Sequence, residues 1–283
     1  MRIVSLLPAA TEIVAALGAG GQLVGVSHEC DFPPEVRSLP RVTRTRIDTS
    51  LPSGAIDRAV TAARQAGVPT VEVDGPLVAR LRPDVLIGQA LCEVCAAGEG
   101  DLAAVVTALI PVPWVVTLHA HTLEGIFADI AKVGEALELR DEAEELVAGL
   151  RYRLRRVGAQ YTAPRPKPRV LVLEWLDPPY VAGHWVPELV ALAGGEDVAG
   201  KPGEPSYRRS WAELAELAPD LVVVALCGFD VARARAELGL VDAADAHGVL
   251  GRRIGFVDGN AYTSRPGPRV VDAAEWLAQL MDG

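Results

Sequence analysis

Short, continuous apolar runs recur along this chain with helical stretches between them, and that alternation restricts the possible folds most. Ile3–Leu7, Leu23–Ser27, Thr70–Val73, Val85–Gly88, Trp114–Leu118, Arg169–Glu174, Leu221–Leu226 and Ile254–Val257 read as strands. Most are unbroken Val, Ile and Leu rather than apolar residues alternating with polar ones. Such a strand is covered on both faces, as in a parallel sheet. Ala9–Leu17, Ile56–Ala66, Leu102–Leu109 and Trp211–Leu217 read as helices between them. The order predicts an α/β fold with right-handed crossovers.

The middle of the chain breaks this rhythm. From Thr122 to Tyr161 no strand signal occurs, and two helices are expected, about Leu123–Leu137 and about Arg140–Gln160. The second carries Leu146, Val147, Leu150, Leu154 and Val157 as an apolar stripe of helical period. Glu142, Glu144 and Glu145 stand early and Arg151, Arg153, Arg155 and Arg156 late, which complements the helix dipole. Ala163-Pro-Arg-Pro-Lys-Pro168 then ends it and reads as a linker. The expected organisation is an N-terminal α/β part over 1–121, a helical segment over 122–163 with a bridging helix at about 140–160, and a C-terminal α/β part over 164–283. A short internal echo joins the two α/β parts. Leu81-Arg-Pro83-Asp84-Val85-Leu86 matches Leu217-Ala-Pro219-Asp220-Leu221-Val222, each running from a helix end into a strand.

Composition excludes several classes. Half of the 283 residues are apolar and 23% are charged, which excludes a disordered chain. Lys and Arg number 27 against 37 Asp and Glu, a net charge of −10. Nucleic-acid binding is therefore not expected, because phosphates need a basic footprint. Leu221–Leu226 is typical of the longest apolar runs, far short of the roughly 20 residues that cross a bilayer. Met1-Arg2 leads into an apolar stretch that Pro8 and Glu12 interrupt, so no export signal is read there. The expectation is a cytoplasmic protein as the sequence stands, and a periplasmic or cell-surface one if the true start lies upstream. Four cysteines in a chain of this length make no disulfide scaffold.

No phosphate loop, nucleophile elbow or His-Glu-x-x-His helix is present. Gly18-Ala-Gly20-Gly21 reads as a cap on the first helix rather than a dinucleotide fingerprint. The chemistry-bearing residues gather after strands instead. Phe32 follows one strand in Ser27-His28-Glu29-Cys30-Asp31-Phe32, and His119 and His121 follow another. The second half contributes Tyr180, His184, Trp185, Tyr207, Arg208, Arg209, Tyr262 and Arg265. In open α/β sheets ligands bind beyond the carboxyl ends of strands, and aromatic faces with a few polar groups suit a large, flat, partly apolar ligand. Any one of these aromatics could instead seal a loop against the core. His184 is a candidate ligand for the cobalt or iron of a macrocycle, or a hydrogen-bonded structural residue.

Cys92-x-x-Cys95 has three readings: a metal pair completed by His28 and Cys30 as a tetrahedral Zn site, a redox or disulfide pair, or two small residues packed in a loop. The first reading is the basis of a rival function, a metal-dependent enzyme or metallochaperone.

Nearly the whole chain resembles the cobalamin-binding substrate-binding proteins of ABC importers, in a wider class that also binds haem and ferric siderophores. Ser5-Leu-Leu-Pro-Ala-Ala-Thr-Glu12, Gly25-Val-Ser-His-Glu-Cys-Asp-Phe-Pro-Pro34, Leu81-Arg-Pro-Asp-Val-Leu86, Gly194-Gly195 and Ser264-Arg-Pro-Gly-Pro-Arg269 carry the resemblance. It implies two Rossmann-like α/β lobes with mainly parallel sheets, joined by one long helix, and capture of a corrinoid in the cleft between them without catalysis. Carried onto this sequence, it places cleft aromatics at Phe32, Tyr207 and Tyr262, with Tyr180 and Trp185 added from the residues themselves. Arg208, Arg209 and Arg265 are expected to meet polar or phosphate groups, which suit the bidentate fork of arginine. The resemblance also implies docking to a permease through acidic residues, matched here by Glu93 and Glu204. The implied partner set is a corrinoid and an ABC permease, with no required cofactor, a possible Zn ion aside; the chain is expected to be a monomer that spans no membrane. Haem or a ferric siderophore is the alternative ligand.

Overall fold

The computed structural model describes residues 1–89, 106–107, 109–161 and 166–282, the side chain of Ala243 aside. Two compact units are present. The first comprises Met1–Leu51, Arg58–Ala120 and Glu124–Gly149; the second comprises Pro52–Asp57, His121–Leu123 and Leu150–Gly283. The helical stretch over 122–161 is divided between them.

Along the chain as far as Ala159 the described elements run β1 (Ile3–Ser5), α1 (Pro8–Ala16), β2 (Leu23–Val26), β3 (Thr43–Thr45), α2 (Ser53–Gln65), β4 (Val71–Val73), α3 (Gly75–Leu81), β5 (Val85–Gln89), β6 (Trp114–Leu118), α4 (Leu123–Ala136) and α5 (Arg140–Ala159), with the first residues of α2 and the second half of α5 in the second unit. Four strands form a wholly parallel sheet in the order β2-β1-β5-β6. β1 and β5 are buried along their whole length, as their unbroken apolar sequences require. Val4, Leu6, Val42, Val78, Leu86 and Leu109 pack together beside this sheet. Gly25 of β2 lets Leu81 and Val42 pack close, because a Cβ there would lie 2.7 Å from Leu81 Cδ1 and 2.8 Å from Val42 Cγ1 and both side chains would have to shift. Pro8 occupies the first turn of α1, where its missing N–H costs nothing, and Gly18 with φ +79 follows its end. The short antiparallel β3–β4 ribbon was not anticipated in full, since β3 is polar and only three residues long.

In the edge strand β6, the Lys132 ammonium donates to the Thr117 carbonyl at 2.6 Å. Such a lysine blunts an edge that would otherwise pair with another chain. Just beyond β6, the Asp129 carboxylate accepts the N–H groups of His119 and Ala120, both at 2.9 Å. Burial nonetheless pushes the Asp129 carboxyl up from its ordinary range.

The second unit continues with β7 (Arg169–Leu176), β8 (Pro179–Val181), α6 (Val186–Leu192), β9 (Glu196–Asp197), β10 (Tyr207–Arg208), α7 (Trp211–Glu216), β11 (Leu221–Val224), α8 (Val231–Leu238), α9 (Ala243–Leu250), β12 (Arg253–Phe256) and α10 (Val270–Asp282). Its sheet runs β10-β8-β7-β11-β12, with β9 beside β7. β7, β11 and β12 are parallel, as expected. β8 and β10 are antiparallel additions. This corrects the sequence reading, which left Tyr180, Tyr207 and Arg208 in loops. Strands of two or three residues, one opening on Pro179, carry too few residues for a period-2 signal.

The sequence echo has a structural counterpart. Asp84 Oδ2 accepts the Arg2 N–H at 2.6 Å, and Arg2 Nε returns to the Leu81 carbonyl at 2.7 Å. Asp220 Oδ2 accepts the Arg169 N–H at 2.8 Å, and Arg169 Nη2 returns to the Leu217 carbonyl at 2.8 Å. Arg82 and Ala218 hold left-handed φ of 45° and 44° at matching places. Each connector thus fastens a helix end to the arginine that opens the adjacent strand.

Candidate functional site

The strongest grouping of chemistry-bearing side chains lies in the second unit, where the sheet turns antiparallel. Trp175 of β7 pairs directly with Tyr180 of β8, and Tyr180 pairs with Arg208 of β10. Directly opposed residues share one face of a sheet with Cβ atoms about 5 Å apart. The three therefore form a row of indole, phenol and guanidinium across three strands. Trp175 is held by its indole N–H, which donates to the Ser53 carbonyl at 3.2 Å, and by the Phe229 ring 5.2 Å away. Arg208 is exposed and Tyr180 half-buried. Trp175 stood in the sequence beside Tyr180 but was not singled out; only the hairpin register shows that the two face the same way.

Tyr207 precedes Arg208 in β10 and so points to the other face of the sheet, opposite Val181; it is half-buried, and its hydroxyl donates to the Ala199 carbonyl at 2.9 Å. The Arg209 guanidinium lies 5.4 Å from the centre of its ring. Asp197 fixes the loop beneath, its Oδ1 accepting the N–H groups of Ala199 at 2.9 Å and Gly200 at 2.7 Å. Asp197 Oδ2 is buried without a hydrogen-bond partner, and burial raises the carboxyl from its ordinary range despite the two N–H bonds.

His184 lies in the turn between β8 and α6. Its φ of +54° is left-handed, uncommon for a residue with a Cβ. The backbone holds it there: its N–H donates to the Glu204 carbonyl at 2.6 Å and its carbonyl accepts the Gly203 N–H at 2.9 Å. Gly183 before it admits no side chain, since a Cβ would lie 2.5 Å from the Glu204 oxygen and 2.6 Å from Ser206 N. The His184 ring is half-buried and faces the His121 ring at 5.5 Å. Burial, and then the neighbouring His121, push its pKa below the ordinary 6.5. The shift favours the neutral imidazole, whose unprotonated nitrogen can ligate a metal. Glu204 is exposed.

Two predicted ligand residues prove to be internal. Trp185 is 4% exposed, and its indole N–H donates to the Thr263 carbonyl at 3.1 Å, so its ring has no free face for a ligand. Arg265 is 5% exposed, with Nη2 on Asn260 Oδ1 at 2.9 Å. It braces the single π-helical turn Gly259–Thr263 rather than reaching solvent. Tyr262, on that turn, stays half-buried with the Arg269 guanidinium 5.0 Å from its ring centre.

In the first unit Phe32 is 43% exposed on its strand-end loop. His28 and Cys30, taken from the sequence as half of a Zn set, are engaged separately. A ring nitrogen of His28 is 2.7 Å from Thr43 Oγ1, while the Cys30 sulfur is buried 3.1 Å from Thr11 Oγ1. Burial and the Arg41 charge lower the His28 pKa. Among the described residues no group of three or more His, Cys, Asp or Glu gathers as a metal set. Cys92, Glu93 and Cys95 lie outside the described residues.

Comparison with known proteins agrees with this architecture. A vitamin B12-binding protein of Vibrio cholerae is 23% identical over 290 residues, spanning 99% of this chain and 88% of that protein. The crystal structure of a periplasmic heme-binding protein from Pseudomonas aeruginosa superposes with a TM-score of 0.74 at 25% identity, over 99% of this chain and 92% of that one. The structure of the periplasmic vitamin B12-binding protein of Vibrio cholerae gives a TM-score of 0.71 at 21% identity, over 99% and 96%. The family model described as periplasmic binding protein matches residues 3–238, and with the two α/β units already in place the chain belongs to the periplasmic binding protein family.

Proposed function

We propose that this protein captures a corrinoid, cobalamin or a close relative, and delivers it to the permease of an ABC importer. The observation that carries the reading is the Trp175–Tyr180–Arg208 row, with His184 and Tyr207 as further candidate contacts. Aromatic faces contact the flat, apolar macrocycle. Arg208, exposed at the end of the row, and Arg209 meet phosphate or other polar groups at its rim. Phe32 and Tyr262 are further contacts in this reading, and Glu93 and Glu204 the acidic points of permease docking. Binding is non-covalent and no catalytic step is involved. None of the described helices is long and apolar enough to cross a membrane, which leaves translocation to the permease.

Haem is the second reading. A solved structure as similar as the one from Pseudomonas aeruginosa is named for heme binding, and a half-buried neutral imidazole such as His184 suits iron. In this reading Arg208 pairs with a carboxylate of the ligand rather than a phosphate.

The test is a titration of the purified chain with cyanocobalamin, cobinamide and haemin, recording heat and absorbance. Micromolar or tighter cobalamin binding, one per chain, supports the first reading; haemin binding alone moves the assignment to the second. Arg208→Ala weakens cobalamin binding about tenfold, the worth of one charge-assisted contact. Cobinamide, which lacks the nucleotide phosphate, changes less. Equal losses for both corrinoids would remove Arg208 from phosphate recognition.

A further inference from the structure

We infer that His121 and His184 form a two-imidazole site for a hydrated divalent transition-metal ion, Cu2+ before Ni2+ or Zn2+. The ring centres are 5.5 Å apart and the planes tilted by 35°. An ion bound at about 2.0 Å from one nitrogen of each ring sets the two imidazole centres about 4.5 Å apart at a right angle and about 5 Å apart at a tetrahedral one. The observed spacing is about 0.5–1 Å longer than these, a difference on the scale of a change in the imidazole side-chain torsions.

The His184 backbone is fixed, and a hydrogen bond anchors the chain close to His121. His184 is tied through its N–H and its carbonyl, at 2.6 and 2.9 Å. His121 stands two residues before Leu123, whose N–H donates to Glu188 Oε2 at 2.8 Å. A chelate whose ligands are held in place loses little conformational freedom on binding. His121 is exposed and His184 half-exposed, so the ion reaches the pair from solvent and keeps water in its remaining positions.

The arrangement also separates this ion from the metal of a macrocycle. A planar four-nitrogen ring leaves its metal two positions on opposite faces, and two adjacent imidazoles cannot occupy both. A small ion with neighbouring open positions accepts them together. Imidazole pairs suit Cu2+, Ni2+ and Zn2+, and Cu2+ leads in intrinsic affinity.

The test uses the full chain and the metal salts alone. Calorimetric titration with Cu2+ is expected to give one site per chain, with weaker binding of Ni2+ and Zn2+. Electron paramagnetic resonance of the Cu2+ form is expected to show coupling to two imidazole nitrogens. His184→Asn, chosen because asparagine tolerates the left-handed backbone, and His121→Asn each lower Cu2+ affinity at least tenfold. His119→Asn and His247→Asn leave it unchanged. Unaltered circular dichroism and melting temperature show that the variants fold. Absence of a stoichiometric Cu2+ site, or unchanged affinity in either the His121 or the His184 variant, overturns the assignment. Corrinoid binding plays no part in these measurements, so they stand or fall separately from the proposed function.

Discussion

His184 shows how much a single residue's surroundings can dictate. Its left-handed backbone exists because two hydrogen bonds to the 203–204 loop hold it, and because Gly183 lets that loop approach. Neither condition is visible in Gly-His-Trp as a string. Gly183→Ala inserts a methyl group against the Glu204 oxygen and Ser206 nitrogen, so the loop has to move. The expected cost is about 2 kcal/mol, the usual scale of overpacking, read as a lowered denaturation midpoint. The displaced His184 weakens ligand binding in the same variant. A Gly183→Ala protein as stable as the parent would show that the 203–206 loop yields freely.

At the scale of elements, the Pro-Asp connectors are the clearest case of sequence speaking for itself. The matched segments around Asp84 and Asp220 adopt the same turn and make the same two hydrogen bonds to an arginine. Asp84→Ala and Asp220→Ala each remove the acceptor of a strand-opening N–H. Each is expected to cost about 1 kcal/mol, the typical net worth of such a bond, and Asn at either position restores most of it. Chemical denaturation of the four variants checks this; an unaffected Ala variant would mean that water replaces the carboxylate there without loss. The aromatic hairpin is the opposite case. Tyr180, Tyr207 and Arg208 were legible as candidate ligand residues, but their strands were not. β8 and β10 are too short to show a period, and their pairing with β7 depends on residues far along the chain.

For the whole molecule, the buried titratable groups set how stability varies with pH. His28 and His184 both have pKa values below 6.5 in the folded state. Below 6.5 the unfolded chain takes up protons that these folded histidines resist, so stability is full above that pH and falls as the pH drops through it. Asp129 and Asp197 act in the other direction. Their folded pKa values lie above 3.8, so their burial penalty is present at neutral pH and is relieved on acidification through those raised values. The denaturation midpoint is therefore expected to fall between pH 7.5 and 5.5, with the slope reduced in the double variant His28→Gln, His184→Asn. A slope unaltered by the double substitution would assign the loss to other groups.

The parallel strands and the long helix over Arg140–Ala159 are legible in the sequence alone, because unbroken apolar runs and helical periodicity are local and repeat over many residues, and family membership is legible in motifs spread along the chain. Tertiary structure alone decided which candidate side chains are available. Trp185 and Arg265 carry the same chemistry in the sequence as Tyr180 and Arg208, yet the first two are enclosed and the others reach the surface. Exposure depends on which distant segments cover a residue: Trp185 is buried with its indole N–H on Thr263 of the π-helical turn, while the β7–β8–β10 register leaves Arg208 open. The His121–His184 pair is of the same kind, brought together across more than sixty residues of chain by packing that no local pattern records.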